Sequence, residues 1–94
     1  MMNLRPGDRV HVKSHWNWPR NCSGVVAPPP PIAHGIAGEH PWHGHIRTVP
    51  GRKGPISSVW IVFDEPQKDG DDDGPYRGGE VELEFVTRVG EPSG

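Results

Sequence analysis

Thirteen glycines and 12 prolines fill 25 of the 94 positions, and no window of ten or more residues carries apolar side chains at the i, i+3, i+4, i+7 spacing of an amphipathic helix. An interior proline removes a backbone donor and drives its ring into the preceding turn, so a long helix is excluded. Such a composition would suit a disordered chain. Against disorder, the net charge is only -2, and Val, Ile and Trp gather in short runs that can be buried together. The expectation is an all-β fold with long irregular loops.

Four segments read as strands. In "DRVHVK", Val10 and Val12 alternate with Arg9, His11 and Lys13, the period of a half-buried strand. "CSGVVA" follows a loop containing Trp16, Trp18 and Pro19. "SVWIVFDE" is apolar on both faces from Val59 to Phe63, which places it at the centre of a sheet. In "EVELEFV", Val81, Leu83 and Phe85 should point inward and Glu80, Glu82 and Glu84 outward, where they can face the outward bases of the first strand. Residues 27–55 form a Pro/Gly/His-rich insertion, far longer than a hairpin connection, in which "HGHIRTV" offers a further short strand. One domain spanning residues 1–90 and a disordered tail at 91–94 are expected.

The segments "LRPGDRVHV", "CSGVVA", "VWIVFDE" and "GGEVELEFV", in that order, resemble the Src-homology-3-like small β-barrels. They are similar to the accessory barrels of ferredoxin–thioredoxin reductase, of photosystem I and of the β-subunit of nitrile hydratase. The insertion departs from all three. The resemblance implies a barrel of about five strands and a tendency toward partner binding, without implying an activity.

"DGDDDGPYRGGE" matches a calcium loop at Asp69, Asp71, Asp73, Gly74 and Glu80. Its flanks are strands, not the helices that clamp an EF-hand, so the pattern reads more readily as an acidic hairpin connection. A second metal reading rests on "HGIAGEHPWHGH", where His40, His43 and His45 offer imidazoles for zinc, with His34 nearby. The spacing matches no paired-cysteine zinc pattern, and a solvated histidine-rich loop accounts for it more readily. Tight zinc with an open coordination position would be the route to a metal-dependent enzyme.

The tryptophans point elsewhere. Trp16 and Trp18 lie on one side of an extended first loop and, with Trp42 and the basic turn Arg52 and Lys53, form a candidate partner-binding face. The alternative is that the two rings cap an open end of a barrel. Trp60 is most simply core, and Pro28 to Pro31 form a stiff polyproline rod. Cys22, the lone cysteine, makes no internal disulfide and suits a small buried apolar position.

With net charge -2 and no long basic block, nucleic-acid binding has little electrostatic support. The absence of any long apolar run gives no membrane span, and a cytoplasmic location is expected. The reading that emerges is a non-catalytic protein-binding module or accessory subunit, with a calcium- or zinc-binding protein as the alternative and a nucleic-acid-binding barrel as the second.

Overall fold

A computed structural model describes residues 4–90. The tail expected at 91–94 lies outside the described residues. Strand β1, Arg9–Val12, buries Val10 and Val12 and turns Arg9 and His11 to solvent. It pairs antiparallel with β2, Cys22–Val26. The alternation seen in the sequence thus becomes one wet and one dry face.

Between β2 and the next strand, the chain forms a short helix, α1, over Pro31–Ile36. At six residues it is compatible with the exclusion of a long helix, although no segment of the sequence reads as helical. Pro31 sits at the first helical position, where its missing N–H costs nothing, and Pro30 remains extended at φ -72° and ψ 166°. Gly38, at φ 62°, then leads the chain away in the left-handed conformation that glycine tolerates. Only Ala33 and Ala37 are buried, one helical turn apart, which is too little apolar periodicity to be read in advance.

Strand β3, Ile46–Gly51, hairpins onto β4, Gly54–Gln67, with Pro50 opposite Pro55. The irregular part of the insertion therefore ends at His45, and the central strand starts four residues before Ser58. β4 pairs with β3, β2 and β5, Tyr76–Glu82, as its doubly apolar sequence required. Val59, Ile61 and Phe63 face the core.

The last apolar run is not one strand. β5 ends at Glu82, Leu83–Phe85 make a 3-10 turn, and β6, Val86–Arg88, pairs back onto β1. Leu83 and Phe85 are consequently only partly buried. The hydrogen-bonded run β5-β4-β2-β1-β6 has β5 and β6 at its two ends, although only the three-residue turn separates them in the chain. Chain continuity thus requires the sheet to curl round on itself. The outward bases of β1 do not meet Glu80, Glu82 and Glu84: Arg9 pairs with Asp64 of β4, and Arg88 of β6 pairs with Asp8.

Leu4, Val10, Val12, Trp18, Val26, Val59, Ile61, Phe63, Val81 and Val86 make the core. Each such side chain contributes about 1.5–3 kcal/mol of burial free energy, offset mainly by chain entropy.

Candidate functional site

The acidic loop joins β4 to β5. Asp69 folds it: Oδ1 accepts the N–H groups of Asp71 at 2.9 Å and Asp73 at 3.0 Å, while the Asp69 N–H donates to the Asp73 carbonyl. This is the side-chain-to-backbone bonding that makes Asp a turn residue. Asp72 takes φ 62° and Gly74 φ 115°. The Gly70 N–H donates to the Asn17 carbonyl at 2.9 Å, and a Cβ on Gly70 would strike the Trp16 carbonyl, so the loop is seated against the first loop.

Glu80 is engaged elsewhere. It lies in β5 opposite Trp60, and its carboxylate accepts from Arg47 Nη1 at 2.9 and 3.3 Å. Arg47 is the residue that sequence reasoning missed. From β3 its Nε donates to the His40 carbonyl at 2.7 Å and its Nη2 to the Ala37 carbonyl at 3.2 Å. One guanidinium, 18% exposed, therefore caps the end of α1, holds the histidine segment and pairs with β5. The available signal was a single arginine in "HIRTV", within an otherwise apolar strand pattern.

Gly78 and Gly79, within the calcium-like pattern, serve the tryptophans. A Cβ on Gly79 would collide with the Trp18 ring, 2.8 Å from Cη2 and closer to Cζ2. One on Gly78 would stand 3.1 Å from Trp60 Nε1. Trp18 is 8% exposed, and its Nε1–H donates to the Glu80 carbonyl at 3.0 Å. Trp42, 7% exposed, packs edge-on against the half-buried Trp60 with centroids 6.1 Å apart. Trp60 is thus covered on the outer face of β4 by the insertion and does not belong to the inner core.

Trp16 and Trp18 do not present together. Trp16 is 65% exposed and stands edge-on to Phe85, on which the His15 ring is stacked at 3.9 Å. His15 Nδ1–H donates to the Lys13 carbonyl, and its Nε2 is buried without a hydrogen-bond partner. Across from Trp16, α1 exposes Ile32 and Ile36, the latter 81% accessible. Between them runs an open groove of about 670 Å³, bounded by Trp16, the edge of Trp18, Ile36, Asp69, Asp71 and Glu80.

The histidines do not converge. His45 Nε2–H donates to the Leu4 carbonyl at 2.7 Å, His43 is exposed on a tight turn closed by His43 and Ile46 backbone bonds, and His40 is half-buried. Among the described residues, no three His, Cys, Asp or Glu side chains are placed to hold one metal ion. Arg52 and Lys53 are exposed at the β3–β4 turn and do not line the groove. Cys22 is half-buried against the core, and burial, then the charge of Asp64, pushes its thiol pKa up.

Comparison with the models of protein families, with curated proteins and with solved structures gives no match for this chain. Among the described residues, no helix is long and apolar enough to cross a membrane.

Proposed function

We propose that the chain is a Src-homology-3-like barrel that acts as a non-catalytic protein-binding module, docking a partner segment in the groove between Trp16 and Ile36. The barrel reading is supported by the strand run β5-β4-β2-β1-β6 and by the 3-10 turn that returns the chain to β1. The observation that carries the binding reading is the exposure of Trp16 and Ile36 on opposite walls of one groove, since a large apolar ring left in water on a seated loop is the usual anchor of an interface. Trp18 and Trp42 support these walls from beneath. They hold the first loop and the insertion in place, and Trp18 offers the groove only its edge.

The test is a selection of short random peptides on the immobilised protein, followed by binding to Trp16→Ala and Ile36→Ser. Both residues are exposed, so both variants should keep the parent far-ultraviolet spectrum and thermal midpoint. Selected peptides should lose most of their affinity for each variant. Failure to select any peptide, or equal binding to the variants, would remove the reading.

A further inference from the structure

We infer that the segment this groove receives is cationic as well as apolar. The inference rests on the docking reading above and adds to it the charge of the partner. Asp69 and Asp71 line the groove beside Trp16 and Ile36, and no lysine or arginine lines it. Glu80, the third acid, is already paired with Arg47. Lys68 reaches Asp72 at 3.7 Å, and Lys68 and Arg20 line a neighbouring hollow that Asp69 also borders, yet neither cation forms an ion pair with Asp69 or Asp71. Among the described residues, Asp69 and Asp71 thus have no cationic partner within the chain.

The Asp69 carboxylate is also set in place before any partner arrives. Asp69 is held by the two N–H groups that Oδ1 accepts, and the loop by the Gly70–Asn17 bond. A carboxylate that is already ordered loses little entropy when a lysine or arginine meets it. The exposed Trp16 face adds to this preference, because the negative face of an indole attracts a cation and disfavours an anion. An apolar residue seated between Trp16 and Ile36, with basic residues on either side over Asp69 and Asp71, satisfies both walls. An acidic segment would bring like charges together in a partly desolvated groove.

Three synthetic peptides test this against the whole chain by amide- and indole-resolved NMR. One carries lysine and leucine with serine spacers, one replaces every lysine by glutamate, and one replaces every lysine by serine. The lysine peptide should give saturable shifts at the Trp16 indole, Ile36, Gly70 and Asp71. Its affinity should fall roughly 3- to 10-fold on going from low to high salt, and by a similar factor in Asp71→Asn. If the serine or glutamate peptide binds the same residues as tightly as the lysine peptide, the charge inference is overturned and the docking groove stands. If no peptide moves Trp16 and Ile36, both fall. Shifts from the lysine peptide spread over all surface carboxylates, with Trp16 unmoved, likewise overturn the inference.

Discussion

Gly79 lies flat beneath the Trp18 indole, and the absence of a side chain there is what admits the ring to the core. Gly79→Ala places a methyl group where Trp18 Cη2 and Cζ2 already stand. The backbone of β5 is fixed by its ladder to β4, so the indole must yield. A loss of about 1–3 kcal/mol, the usual cost of overpacking, is expected in urea denaturation. Gly35→Ala is the control: it lies in α1, nothing stands within 4 Å of its added Cβ, and it should be neutral or stabilise slightly.

Arg47→Met keeps much of the apolar stem but removes every bond of the guanidinium. Glu80 is left partly buried without its cation, and two carbonyls of the insertion lose a donor. The expected loss is about 2–4 kcal/mol. Hydrogen exchange should quicken in Ala33–Ala37 before it does in β1 or β2, which would locate the damage in the insertion. Arg47→Lys should recover little, because one ammonium cannot address three directions.

Glu82 supplies a pH signature. Burial first, then the hydrogen bond and charge of Glu84 and the charge of Glu80, raise its carboxyl pKa, with His15 opposing. The folded chain therefore holds this proton more tightly than the unfolded one. Its contribution to stability is present below the ordinary carboxylate range and is lost as pH rises through that range to the raised value. Glu82→Gln should match the parent near pH 3 and exceed it near pH 7, by about 0.5 kcal/mol or less for so accessible a group. Urea midpoints at the two pH values would check the sign.

Cys22 should be a sluggish nucleophile. Its thiol pKa is raised by burial and by Asp64, so little thiolate exists at neutral pH, and the thiolate is the reactive form. Alkylation by iodoacetamide near pH 7.5 should be at least about tenfold slower in the folded protein than in urea. Comparable rates would mean that Cys22 is open to reagent in the native state.

The strands were legible because β1 and β4 must satisfy a two-residue period against a single core, and Val10, Val12, Val59, Ile61 and Phe63 do so. The α1 helix was not, since it is one turn and a half held from outside by Arg47 and seated on Ala33 and Ala37 alone. "EVELEFV" misled because its alternation continues through a point where the chain must bend to reach β1. The tryptophans show the same limit. Trp16 and Trp18 have identical local sequence prospects, and what separates them is Gly79, 61 positions from Trp18, which opens a place for one ring only.

The two ends of the sheet path bear on how the protein behaves at high concentration. β3, at one end, carries Pro50, which has no N–H to offer a neighbour, and β6, at the other, is only three residues long. Both edges are therefore poor templates for a strand from another molecule. Pro50→Val would restore a continuous ladder along β3, and this variant should associate more readily on concentration than the parent chain.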